Sequence, residues 1–467
     1  DAFLFFFFFF APGVYVKEVS KLGKSVVAAS TSIPAFIGHT QKGTTEPRRI
    51  QSLQEYEQVF GGAHPTVEIN LSGYVTAPLS GFILPPYALY YAISLFFANG
   101  GSSCWIVSIG GYSPDLKINH LAIVANDGKS PAIAKLDSID EISLLCIPEL
   151  PLITADDRGK VVVAMLKNCA TRGDRFAIMD EYGRPGDDIA KFRQGCGTQN
   201  LSYGAAYYPQ VHYGLGIPDS AIKFVTPLSP ATDGKTVAEA LVIAAQDNEA
   251  GRIMSGILNQ NYQTLRTQVG KLINLYVGAS GALAGIYGAT DATRGVWKAP
   301  AGMSIAGVEK PFILWHTTDD SPLYDESGAG KDINRIRKTE TQGAVVWGAR
   351  TLAGNDLDYR YISVRRLLIF VGQSLKRATS FAVFEPNNAN TWTMVKTMTE
   401  NFLNELWRQG GLVGPKPSDA FQVKVGLGQT MNAEDVLNGI LRIEVSLAPV
   451  RPAEFVVLSF SHLVQPT

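Results

Sequence analysis

The chain has 467 residues, 46% hydrophobic and 18% charged, with a net charge of −1 and a pI near 6.7. That length suggests about two to four domains and is ample for large buried cores. The near-neutral balance lacks the overall basic field of a nucleic-acid binder. A charged fraction below the roughly 25% of typical soluble domains fits a chain that buries surface against other protein, and equally a well-packed enzyme.

At the start, Phe5 to Phe10 is an unbroken run of phenylalanines. It lacks the basic region and cleavage site of a signal peptide, and it is far shorter than the roughly 20 apolar residues of a spanning helix. Exposed, such a run is an aggregation hazard, so it is either foreign to the natural fold or a strand covered by a neighbour. After the turn signal Ala11-Pro12-Gly13, Val14 to Val19 reads as a short strand, with Val14, Tyr15, Val16 and Val19 as its apolar and aromatic residues. A mostly small and polar stretch, Ser20 to Ser32, then leads to an apolar segment, Ile33 to Gly38. Together these read as an extended arm ahead of the main fold.

From Ile50 onwards helical and strand patterns alternate. Leu53 to Phe60 is helical and is stopped by Gly61-Gly62; Tyr87 to Ala98 is a longer helix ended by Gly100-Gly101. Cys104 to Ile109 reads as a buried strand, Ile142 to Ile147 as a strand, Val161 to Cys169 as a helix and Arg175 to Met179 as a strand. Strands separated by helices predict a mostly parallel sheet with crossover helices. Val237 to Asp247 and Asn261 to Ile273 are further helical stretches, and Thr317 to Lys331 reads as a mobile surface segment.

The last third is the most legible. Val364, Leu367, Leu368, Val371 and Leu375 fall at helical spacing, with Arg365, Arg366, Lys376 and Arg377 on the opposite face. Trp392, Val395, Met398, Phe402 and Leu406 form a second stripe, with Asn390 as N-cap and Gly410-Gly411 at the end. Leu441 to Leu447 alternates as a half-buried strand. Beyond Pro449 and Pro452, the stretch Phe455 to Leu463 reads as a strand and a second arm, with Val456, Leu458 and Phe460 on one face and Phe455 and Val457 on the other.

The search for chemistry is negative. Three G-K-[ST] triplets occur, but the glycine of a phosphate-binding loop is replaced by Glu18, Ile123 and Ser229. Gly302 to Ala306 misses the last glycine of a nucleophile elbow. The six histidines are scattered, and His316 with Asp319 and Asp320 reads better as a solvated acidic loop than as a metal site. Glu434-Asp435 reads as an exposed turn or helix start, and Arg172-Gly173-Asp174 leads into a buried strand, which disfavours an adhesion role. Two glycosylation sequons, at Asn70 and Asn200, carry meaning only with a secretory route. The four cysteines lie far apart without a C-x-x-C, as expected of free thiols in a reducing cytoplasm. The expectation is no catalytic site, no metal and no cofactor.

Six stretches carry a family likeness: Pro12 to Val19; Phe96 to Gly101 with the Cys104 to Ser108 strand; Arg294 to Ala301; Val346 to Leu352; Phe384 to Asn387; and Pro452 to Phe455. In this order they resemble the contractile tail sheath proteins of phages, bacteriocins and related injection systems. The phenylalanine run matches nothing in that family.

The resemblance implies a structural subunit. It implies an α/β outer domain (residues 50–344) and an α+β inner, tube-facing domain (345–453, with 21–49 as its N-terminal part). It implies terminal arms (1–20 and 454–467) that add strands to the sheets of neighbouring subunits. The implied partners are copies of the chain in stacked hexameric rings, an inner tube protein, baseplate and terminal cap proteins and sister sheath proteins, with no nucleic acid and no membrane insertion. Assembly in the bacterial cytoplasm follows, as does a metastable extended state that contracts without fuel. Arg365, Arg366, Lys376 and Arg377 are then expected to meet the tube or a neighbour, or simply to face solvent. An α/β enzyme with its site in an open-sheet crevice is the alternative, and a monomeric binding module is a third reading.

Overall fold

A computed structural model of the chain describes residues 26–69, 75–77, 82–125, 128–182, 187–224, 235–246, 248, 252, 254–256, 258, 269, 273–314, 323 and 330–454. One eight-stranded sheet organises most of them. Its strands are β1 (Pro34–Gly38), β2 (Arg48–Ile50), β3 (Cys104–Ser108), β4 (Leu144–Cys146), β5 (Phe176–Asp180), β6 (Gly204–Tyr208), β7 (Ile333–Thr339) and β8 (Gly343–Trp347). Across the sheet the order is β8-β7-β6-β5-β4-β1-β3-β2. The inner strands run parallel, and the edge strands β2 and β8 run antiparallel to their neighbours.

Parallel strands need crossovers that cover both faces of the sheet. On one face Phe36, Ile106, Cys146, Ile178 and Tyr207 pack against α1 (Leu53–Phe60), α2 (Leu89–Ala98) and the helix Ser280–Arg294. On the other face their sequence neighbours Ile37, Val107, Leu145, Ala177 and Met179 pack against α3 (Ala155–Arg172) and α4 (Asp187–Gly195). The alternation is the period-2 pleat of a strand buried on both sides. The helix Ser280–Arg294, α5, crosses α2 with its backbone close: a Cβ on Gly281 would run into the Ala92 carbonyl, and one on Gly285 would approach the Phe96 carbonyl at 2.6 Å. Two smaller sheets flank this unit, one of four strands and one of three.

The C-terminal part has its own core. Leu367 and Val371 of α6 (Ile362–Thr379), Leu403 and Leu406 of α7 (Ala389–Arg408), and Val423 and Val425 of β9 (Phe421–Val425) pack together, with Val445 of β10 (Ile443–Leu447) against them. The mixed α/β class expected from the sequence is what the chain adopts.

Several expectations are corrected. Ile33 to Gly38 does not belong to an arm ahead of the fold: its residues Pro34 to Gly38 form β1, fully buried between β3 and β4. A short apolar run looks the same in an arm and in a central parallel strand, because both partners are supplied from far along the chain. The segment 21–49 likewise carries β1 and the first two residues of β2 (Arg48–Ile50), both strands of the large sheet, and residues 344 and 345 lie together within β8. The N-cap of α7 is Asn388, not Asn390: Asn388 is extended, and its side chain accepts the N–H groups of Asn390 and Thr391. Thr236 of a failed phosphate-loop triplet caps the helix Val237–Ala244 in a capping box. Arg172 and Asp174 bind each other at 2.7 Å, with Asp174 buried, which folds the adhesion-like tripeptide onto itself.

Other expectations stand. Leu53–Phe60 is a helix over the predicted residues, Glu434-Asp435 lies in a short helix, and all four cysteines are free and buried. Against the reading of Thr317 to Lys331 as a surface segment, Leu323 within it is buried in the core. Most of that segment, with His316, Asp319 and Asp320, lies outside the described residues, as does most of Asn261 to Ile273.

Candidate inter-subunit surface

A surface that takes an added strand from another subunit needs unpaired backbone. β9 and β10 form a two-stranded antiparallel sheet, in register from Phe421 opposite Leu447 to Val425 opposite Ile443. Among the described residues β9 and β10 pair only with each other, so each outer edge is a template for an added strand. Its apolar face (Phe421, Val423, Ile443, Val445, Leu447) lies on α7, while Gln422, Lys424, Glu444 and Ser446 are exposed. Lys424 stands directly opposite Glu444, a favourable cross-strand pair that fixes register. The sheet is thus held from beneath, and no other described strand pairs along its sides.

The strand residues expected to stitch subunits together lie outside the described residues: Val14, Tyr15, Val16 and Val19 at one end, Phe455, Val456, Val457, Leu458 and Phe460 at the other, and likewise the Phe5 to Phe10 run. The last described residue, Glu454, is held firmly. Arg350 Nε donates to both of its carboxylate oxygens (2.9 and 3.1 Å) and Nη2 donates to Oε2 (2.6 Å). Arg350 Nη1 donates to Asp332 Oδ2 at 2.9 Å, and the Tyr361 hydroxyl donates to Glu454 Oε2 at 3.3 Å. Sequence reasoning did not mark these groups as a unit. Arg350 and Glu454 do lie within two of the six family-like stretches.

The four basic residues of α6 divide into two kinds. Arg365 is buried, stacked over Tyr359 at 3.7 Å and Tyr203 at 4.4 Å, and donates to Ser202 Oγ at 2.7 Å. Arg366 is buried against Asp291, with contacts of 2.5 and 2.9 Å, and donates to the Thr31 carbonyl at 2.8 Å. Both are therefore held inside the chain, because their partners come from distant segments. Lys376 and Arg377 are exposed, with Arg377 donating to the Asp140 carbonyl at 3.1 Å.

An enzyme of this architecture would bind its ligand beyond the carboxyl ends of the strands where the order reverses, here between β1 and β4. That position is filled by His39, which follows β1, and Glu149, which follows β4. Their side chains meet at 2.7 Å, the His39 amide donates to Glu149 Oε1 at 3.0 Å, and both residues are buried. The Tyr87 ring packs on His39 at 4.8 Å. A groove of ≈ 1240 Å³ lies elsewhere, between α3, α4 and residues 120–137, and none of these groups lines it. Among the described residues no cluster of three or more His, Cys, Asp or Glu side chains is placed to hold a metal ion. Nor is any described helix long and apolar enough to cross a membrane.

Residues 355–461 match the phage tail sheath C-terminal domain family. Over 192 residues, 40% of this chain, the sequence is 26% identical to the tail sheath protein of Enterobacteria phage T4; the match spans 27% of that relative's length. Along nearly the whole chain the fold matches the sheath of an extracellular contractile injection system, the PVC sheath complex in its contracted state. That match has a TM-score of 0.64 and 27% identity, and covers 97% of this chain and 98% of that one. Its relatives are contractile sheaths. The anti-feeding prophage helical sheath in the contracted state matches equally well, with a TM-score of 0.64, 27% identity, and coverage of 96% and 98%. The sheath likeness therefore reaches well beyond the C-terminal domain, into the eight-stranded sheet.

Proposed function

We propose that the chain is the structural subunit of a contractile sheath in a phage tail-like injection particle, with no catalytic role. Copies polymerise as stacked hexameric rings around an inner tube, between a baseplate and a terminal cap, and shorten to drive the tube through a target envelope. The observation that carries this is the β9–β10 sheet, two-stranded among the described residues, within a chain that matches sheath structures over 97% of its length. Strands within the terminal arms (1–20 and 454–467) of neighbouring subunits complete that sheet by strand addition, in which backbone hydrogen bonds provide the strength and alternate side chains the register. The unit of α6, α7, β9 and β10 faces the tube, presenting Lys376 and Arg377 to the tube or to a neighbour, and the large sheet lies outside it. Assembly takes place in the bacterial cytoplasm before the particle acts.

Electron microscopy of the purified protein tests the reading directly. Helical tubes or rings are expected; a chain that stays monomeric at high concentration overturns it. Deleting residues 455–467 is expected to abolish tubes while leaving a folded core, and tubes that persist remove the C-terminal arm from the account.

A further inference from the structure

Up to Val450 the chain end is held by the C-terminal unit: the Val413 amide donates to the Ala448 carbonyl at 2.8 Å and the Val450 amide to the Gly411 carbonyl at 3.3 Å. Four residues later the holder changes. Arg350 belongs to the large sheet, because Asn334 of β7 clasps its backbone from both directions, at 2.8 and 2.7 Å, and also donates to the Ala206 carbonyl of β6 at 3.2 Å. The guanidinium is fixed on its other side by Asp332, which is buried against Gly354, a position where a Cβ would strike the carboxylate. Exposed ion pairs contribute little. This one is bidentate, with side-chain exposures of 13% for Arg350 and 18% for Glu454, the geometry in which Arg–carboxylate pairs are strong.

We infer that the Arg350 socket anchors the root of the C-terminal arm, so that a neighbour's pull on residues 455–467 is delivered to the eight-stranded sheet. The inference rests on reading those residues as an inter-subunit arm. Without the anchor the same pull would act at Val450. It would then unzip β10 from β9, starting at the Leu447–Phe421 pair and breaking one pair at a time. With the anchor the load meets a side chain locked into buried parallel strands, and the hairpin keeps its register while neighbours add strands to it. Arg350 and Glu454 are thus positioning residues, coupling the α/β unit to the next subunit.

The test is E454Q in the full chain, compared with wild type and with the 455–467 deletion. Arg350 keeps Asp332 as a partner in E454Q, so no buried charge is left alone and the fold survives. The critical concentration for tube formation, measured by sedimentation and electron microscopy, is expected to rise about tenfold in E454Q. The melting temperature of the unpolymerised protein is expected to be unchanged. Wild-type assembly by E454Q alongside a deletion that fails overturns the anchor and leaves the arm standing. A melting temperature that falls together with assembly also overturns it, since the pair would then serve only the fold. Tubes formed by the deletion itself overturn both the arm and the anchor.

Discussion

Arg366 on α6 and Asp291 on α5 form an ion pair, at 2.5 and 2.9 Å, with side-chain exposures of only 3% and 6%. The pair rivets the C-terminal unit to the helix that covers the large sheet, and the Tyr287 ring lies under the guanidinium at 4.6 Å. Removing one member of a buried pair leaves the other charge uncompensated, at a cost of about 3–5 kcal/mol. D291A is therefore expected to lose about that much in urea unfolding of the unpolymerised chain. D419A, which removes the exposed partner of Lys416 at 3.9 Å, is expected to lose less than about 1 kcal/mol. Equal losses for the two would show that the α5–α6 contact carries no special weight.

Glycine-to-alanine changes are expected to have opposite signs at two helical positions. At Gly281 on α5 the added methyl meets the Ala92 carbonyl of α2, so the helices must move apart, at about 1–3 kcal/mol. At Gly372 within α6 nothing lies within 4 Å of an added Cβ, so G372A is expected to gain about 0.5–1 kcal/mol from helix propensity alone. Thermal melts of the two variants decide this, and destabilisation by G372A would contradict the account of α6.

Phe384 sits at φ +72° and is fully exposed, at 102%. A bulky residue in the left-handed region costs roughly 1–2 kcal/mol, and glycine removes that strain while adding some unfolded-chain entropy. F384G is expected to raise the stability of the unpolymerised chain by about 0.5–1 kcal/mol. On the proposed sheath reading the exposed ring meets another subunit, so F384G is also expected to weaken tube formation. Lower stability in the melt, or tubes that form at the wild-type concentration, would count against that role.

What the sequence made legible follows from locality. The stripe Trp392, Val395, Met398, Phe402 and Leu406 needed only helical spacing, and α7 forms where it predicts, starting at Asn388 because the residue that is extended and caps is set by the turn before it. β1 was misplaced because its partners are residues 104–108 and 144–146, and parallel pairing leaves no local trace. Arg365 and Arg366 were placed on an outer helix face because polar residues opposite an apolar stripe usually meet water. Their partners, Ser202 and Asp291, stand 163 and 75 residues away. The Arg350 socket escaped for the same reason, since it joins positions 104 residues apart. The spacing Gly281–Gly285 was the available sign of a close helix crossing.

A pH dependence follows from Asp180, the last residue of β5. Its Oδ1 accepts the Ser280 amide at 2.8 Å at the start of α5, and burial pushes its carboxyl up to about 6 against those Ser280 bonds. Because the folded value lies above the ordinary 3.8, the folded state binds the proton more tightly than the unfolded chain. This group therefore favours folding most at low pH, and its contribution is lost as pH rises from about 4 through about 6. The shift corresponds to about 3 kcal/mol at neutral pH. D180N keeps an acceptor for Ser280 but carries no charge. Glu181, the next residue, pairs with Arg158 at 2.8 Å; burial pushes its carboxyl up to about 8 and the Asp180 charge adds to that push, so part of the gap between the two proteins comes through Glu181. D180N is expected to be more stable than wild type by up to about 3 kcal/mol at pH 7.5, with the gap closing towards pH 4. A gap that stays constant in denaturant titrations between those values would mean that Asp180 keeps its charge throughout, and that the α5 N-terminus, not burial, governs the carboxylate.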